Sequence, residues 1–192
     1  MKTWLTIFLP IFFVGACSMP ETRIYRLDMP ANQVRAVNQK GSASVAVAIA
    51  SPKNLTQPYI VYSKSPYELQ ISRYSKWDLS PDERVREVFK DAVGSMRAFK
   101  EVRAVRYNPE GFYFLKIELR KFERTETEKE FYGELLFDVT FVSPEGKELF
   151  QSTISKKSKL KDRTFLNLSE ALSGALREGV AEVRESMGRF FN

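Results

Sequence analysis

Two stretches in the second half of the chain alternate apolar and polar residues with a period of two. Over Phe112–Phe122, Tyr113, Leu115, Ile117 and Leu119 fall on one face and Lys116, Glu118 and Arg120 on the other. Glu123–Lys129 reads as a charged turn region, after which Phe131, Leu135, Phe137, Val139 and Phe141 fall together over Glu130–Ser143. Pro144-Glu145-Gly146-Lys147 then turns the chain into Glu148–Ser155. The spacing predicts an antiparallel meander with one buried face. Earlier, Ser44–Ala50 sets Val45, Val47 and Ile49 against alanines, which suits a strand covered on both sides. Shorter strands are predicted over Ile24–Leu27, Tyr59–Tyr62, Tyr67–Tyr74 and Glu101–Arg106. Ser63-Lys64-Ser65-Pro66 reads as a hairpin turn, after which Leu69, Ile71 and Arg73 face one way and Glu68, Gln70 and Ser72 the other.

The period changes twice to that of a helix. Val85, Val88, Phe89, Ala92, Val93 and Met96 form a stripe behind Ser80-Pro81-Asp82-Glu83, a capping-box start with proline in the first turn. Leu168, Leu172, Ala175, Leu176, Val180, Val183 and Met187 form a second stripe, with its cap expected at Asn167-Leu168-Ser169-Glu170. The element order β-β-β-β-α-β-β-β-β-α predicts a single α+β domain. A mostly antiparallel sheet carries two amphipathic helices, most economically on one face.

The first eighteen residues follow another logic. Lys2 precedes an apolar run, Trp4–Val14, that closes on Val14-Gly15-Ala16-Cys17. A charged start, a short apolar core and small residues at the cut site describe a secretory signal. The run is well short of the roughly 20 residues a spanning helix needs. The small-small-Cys ending resembles the lipobox of bacterial lipoproteins, which implies cleavage before Cys17 and acylation of its sulfur. The expected organisation is a signal peptide over 1–16, a lipidated tether over 17–22 and a periplasmic domain over 23–192. Stable attachment needs more than one acyl chain, and the mature form of such a lipoprotein carries three. Ser18, in place of the Asp that usually retains enterobacterial lipoproteins at the inner membrane, favours the outer membrane.

Composition narrows the chemistry. The chain has no histidine and one cysteine, which removes Ser-His-Asp and Cys-His nucleophilic arrangements and imidazole metal sites. With Cys17 taken by the anchor, thiolate chemistry and structural zinc go as well. No glycine-rich phosphate loop is present. Catalytic residues, metals and cofactors are therefore expected to be absent, the covalent lipid aside. The net charge of +6 falls to +5 without Lys2. In an exported chain that points to an anionic membrane surface, an acidic partner or plain solvation, and not to nucleic acid.

Two stretches stand out as candidate surfaces. Tyr59, Tyr62, Tyr67, Tyr74 and Trp77 give the predicted hairpin an aromatic density above the rest of the chain. Aromatics pack in sheets, and they also enrich protein interfaces. Lys156, Lys157, Lys159, Lys161 and Arg163 form a basic run before the last helix. It suits either a solvated loop or a membrane-facing segment, each cation being worth about 1 kcal/mol at an anionic surface.

Within that aromatic region, Pro52-x-x-Leu55-x-x-Pro58-x-Ile60-Val61, then Glu68-Leu69-x-Ile71, then Tyr74-x-x-Trp77 before a helix resembles the ABC-type transport auxiliary lipoprotein family, which includes the lipoprotein of paraquat-inducible operons. Tyr25-Arg26-Leu27-Asp28 shortly after the anchor fits the same pattern. The resemblance implies an accessory subunit, docking or receiving, that works by protein-protein binding. Its implied partners are a periplasm-spanning mammalian-cell-entry (MCE) domain protein and an ABC permease system that moves lipid between membranes, with a homo-oligomeric ring as one arrangement. A lipoprotein that scaffolds an envelope complex without handling lipid is the alternative from the residues alone.

Overall fold

The computed structural model describes residues 20–29 and 41–191. Cys17 and most of the connection after Met29 lie outside the described residues. The strands are β1 (Arg23–Tyr25), β2 (Ala43–Ala50), β3 (Tyr59–Ser65), β4 (Glu68–Trp77), β5 (Phe99–Ala104), β6 (Tyr113–Glu126), β7 (Phe131–Val142) and β8 (Glu148–Lys159). Helix α1 (Pro81–Gly94) follows β4, and α2 (Phe165–Gly188) follows β8. The predicted order of elements is the observed one, and the fold is α+β.

One sheet contains all eight strands of the described residues, and β6 is its spine. The antiparallel β6-β7-β8 meander forms the longest ladders, as the alternation predicts. Along the other edge of β6 two strands follow in turn. β2 runs parallel to its first half, with Val45 opposite Tyr113 and Ile49 opposite Ile117. β3 runs parallel to its end, with Tyr62 opposite Arg124. Pro52 and Pro58, which lack a backbone donor, fall in the break between them. A 3₁₀ turn over Lys53–Leu55 tucks Leu55 into the core there. Four short parallel pairings, β1-β4, β2-β5, β2-β6 and β3-β6, thus join the antiparallel ladders.

Both helices cover one face. Val85, Phe89, Ala92 and Val93 of α1 and Leu168, Leu172, Leu176 and Val183 of α2 are buried against Leu115, Ile117, Leu119, Leu135, Phe137 and Val139. Phe89 meets Phe137 edge-on at 5.6 Å between centroids. Phe191 closes the far end against Phe99 and Tyr113. The opposite face has no helix among the described residues and is laced with ion pairs, among them Lys116–Glu118, Arg120–Asp138 and Lys121–Glu134.

Four local expectations are corrected. The chain over Glu123–Lys129 is not all turn: β6 continues to Glu126, because a bulge between Leu119 and Lys121 resets the alternation and lets Phe122 stay in the core. β8 does not stop at Ser155 but extends to Lys159, paired with β7 as far as Tyr132, so the basic run begins on a strand and not in a loop. Helix α2 starts earlier than Asn167, since Thr164 is the cap and its hydroxyl accepts from Asn167 N. At α1 the Ser80 hydroxyl bonds the Asp82 and Glu83 carboxylates, at 2.6 and 2.8 Å, instead of a backbone N–H.

Candidate interaction surface

Strand β4 is longer than the strand beside it. β1 pairs only with Ser75–Trp77, so the Glu68–Tyr74 edge has no strand partner among the described residues. β3 backs this segment, with Ser63 opposite Leu69 and Val61 opposite Ile71. Cross-strand partners share a face, so Leu69 and Ile71 stand with Val61 and Ser63 on the helix-free side. They are 55% and 53% exposed, and Tyr67 at the hairpin tip is 98% exposed. Large apolar side chains beside unpaired backbone make an edge that proteins ordinarily blunt or cover. The predicted alternation of Leu69 and Ile71 is present, and the face it forms is open.

The five aromatic residues of this region do not form one patch. Trp77 is buried, edge-on to Phe122. Tyr62 is half-buried, with the Arg124 guanidinium 4.9 Å from its ring centroid and 4.7 Å from that of Phe165. Tyr59 lies under the Lys76 ammonium at 5.5 Å. Tyr74 is half exposed, and Tyr67 is free. Tyr67 and Tyr74 are the most exposed of the five, and Leu69 and Ile71 are exposed with them.

Tyr62 and Tyr74 also line an open cleft of about 500 Å³ with Lys64, Arg73, Arg163 and Phe165. A second cleft of about 430 Å³ adjoins it across Tyr74, Arg163 and Phe165 and reaches Pro20 and Arg23. Arg124 sits in the floor of the first, bonded to Glu126 and to the Arg163 carbonyl. Helix α2 holds the incoming chain close by. Ser169 Oγ donates to the Arg26 carbonyl, Asp28 N donates to Ser173 Oγ at 3.0 Å, and Arg177 donates to the Asp28 carbonyl.

The basic run is divided by the strand it rides on, because successive side chains point to opposite faces. Lys156 turns to α2 and pairs with Glu178 and Glu182. Lys157 and Lys159 emerge on the helix-free face and pair with Glu134 and Glu130. Lys161 is exposed beyond the strand, and Arg163 joins the cleft. The five cations do not share one face.

On the helix-free face two carboxylates stand side by side, Glu123 opposite Glu134. Burial pushes the Glu123 carboxyl up, against the nearby Lys121 charge, and the Glu134 charge adds to the rise. Burial acts on Glu134 in the same direction, but hydrogen bonds from Lys157, Lys121 and Thr125 outweigh it and hold that carboxyl at about 2. Each of these groups is engaged by its neighbours in the sheet, which makes the cluster structural. No group of three or more metal-ligating residues occurs among the described residues. No helix among them is long and apolar enough to cross a membrane.

Residues 25–185 match the family described as the ABC-type transport auxiliary lipoprotein component. The chain belongs to this family. Its fold is that of protein XCC0632 from Xanthomonas campestris, with a TM-score of 0.70 at 14% identity over 86% of this chain and 97% of that one. A second solved structure, of an uncharacterised protein, gives a TM-score of 0.66 at 12% identity over 88% of this chain and 99% of that one. No curated protein matches the chain. The family match makes this an auxiliary lipoprotein of an ABC-type transport system. The clefts were missed as sites in the sequence because their residues come from β1, β3, β4, β6 and the start of α2.

Proposed function

We propose that this auxiliary lipoprotein is anchored in the outer membrane through acylated Cys17 and docks a periplasm-spanning MCE-domain protein of its transport system. It works by binding, without catalysis. The observation that supports this reading is the β4 edge, where Tyr67, Leu69 and Ile71 lie exposed beside backbone that β1 leaves unpaired. Such an edge suits strand addition: main-chain hydrogen bonds supply affinity and alternate side chains supply specificity. The ion-paired remainder of the helix-free face is already satisfied by its own neighbours.

A Leu69→Asp/Ile71→Asp double variant tests the docking face. It should keep its thermal midpoint, because surface substitutions usually stay within about 0.5 kcal/mol. It should also lose the MCE-domain protein from the purified lipidated complex. Retention of that partner by a folded variant would move the joint elsewhere. Co-purification of outer-membrane barrel or peptidoglycan-associated proteins alone would favour the scaffold.

A further inference from the structure

We propose that the adjoining clefts at Arg23, Lys64, Arg73 and Arg163 bind the phosphate of an anionic phospholipid headgroup in the membrane that carries the anchor. This rests on the proposed acylation of Cys17. On the helix-free face Lys121, Lys157 and Lys159 each meet a carboxylate. None of the four cleft cations makes an ion pair among the described residues. The carboxylates lining the two clefts are Glu126, which Arg124 occupies, and Glu21. The four cations thus outnumber the one carboxylate, Glu21, that is not already engaged, and the clefts hold an excess of positive charge.

The floor beneath that charge is fixed. Arg124 is buried between the Tyr62 and Phe165 rings and donates to the Arg163 carbonyl, which holds the backbone of Arg163 at the cleft wall. Tyr62, Tyr74 and Phe165 place aromatic rings beside the cations, the combination that suits a bilayer interface. A guanidinium presents paired donors that match phosphate oxygens, and Arg73 and Arg163 are both available for this.

Position selects the source of the phosphate. Pro20 lines the smaller cleft, and Cys17 is three residues before it. Three residues of chain span at most about 10 Å. The acyl chains must then enter the bilayer close to the clefts, which makes the headgroup layer their nearest anion. Each cation near such a surface strengthens attachment roughly fivefold. Four of them would orient the domain on the membrane, whereas the tether alone would leave it free to turn.

The test uses the mature lipidated protein in nanodiscs of phosphatidylcholine, with and without phosphatidylglycerol, read by amide hydrogen exchange. Segments 62–74 and 163–167 should exchange at least about fivefold more slowly in the anionic discs. Arg73→Gln/Arg163→Gln should abolish the slowing while the β6-β7 ladder stays protected, showing that the variant is folded. Equal exchange in the two bilayers would overturn the proposal. So would slowing in neutral discs produced by inorganic phosphate or by an acidic peptide, which would make the clefts a free-anion or protein site. Intact mass reads the acylation separately. If Cys17 proves unacylated, the same two compositions are offered as vesicles to the unanchored protein. Binding to anionic vesicles that the double variant loses would sustain the clefts without the anchor, and no binding would reject both.

Discussion

The Trp77 indole meets the Phe122 ring edge-on, with 5.5 Å between centroids and 75° between planes. Trp77 ends β4 and Phe122 follows the bulge in β6, so this contact pins the base of the hairpin to the spine of the sheet. Ten residues back, at the hairpin tip just before β4, Tyr67 touches water on nearly every side. One sequence region therefore holds both a core anchor and a free tip.

This difference should be large in stability. Trp77→Ala removes a buried aromatic and should cost about 3–5 kcal/mol. Tyr67→Ser should change stability by less than about 0.5 kcal/mol. Denaturant midpoints of the two variants check it. Similar losses would mean that the hairpin tip is packed against something in solution.

The paired carboxylates should separate by pH. Glu134 has a folded pKa of about 2, below its unfolded 4.5. Its contribution is complete above the unfolded value and drains away as pH falls toward 2. Glu134→Gln should therefore cost about 1–3 kcal/mol near pH 7 and progressively less below pH 4.5.

Glu123 is shifted the other way, its folded pKa lying above the unfolded value. Stability is then lost as pH rises through the folded pKa, since the fold disfavours the buried charge. Glu123→Gln should raise the melting temperature at neutral pH and leave it unchanged below pH 4, as thermal melts at both pH values would read. A lower melting temperature at neutral pH would show that the Lys121 charge outweighs the burial.

Gly179 marks a close approach of α2 to the sheet. A Cβ there would lie 3.1 Å from Ile154 Cγ2 and from two atoms of the Phe137 ring. That ring is fully buried against Phe89 and cannot yield. Alanine ordinarily favours a helix over glycine by about 1 kcal/mol, but overpacking typically costs about 1–3. Gly179→Ala should lower stability, and a chemical denaturation midpoint above the parent's would contradict the packing.

Much of the fold was legible because its signals are periodic. The stripes of α1 and α2 and the alternation through Leu115–Leu119 and Leu135–Phe141 each follow from which face is buried. The parallel pairings of β2 and β3 along one edge of β6 were not legible, since alternation records a strand's faces and not its neighbours. The bulge at Lys121 concealed Arg124, which reads as part of a charged turn until Tyr62 and Phe165 are seen around it. Among the aromatic candidates the sequence raised packing and interface together, and the structure assigns Trp77 to packing. The edge at Leu69 and Ile71 depends on β1 being three residues long, which no local pattern announces.

The open β4 edge is the proposed docking joint. The most direct measurement replaces Leu69 or Ile71 with a photo-reactive amino acid in the lipidated protein in cells and identifies the adduct by mass spectrometry. A covalent adduct with the periplasm-spanning MCE-domain protein is expected from these two positions, and none from Thr153 on the distant ion-paired part of the sheet. Adducts from Thr153 and none from the edge, or adducts only with outer-membrane barrel proteins, would contradict it.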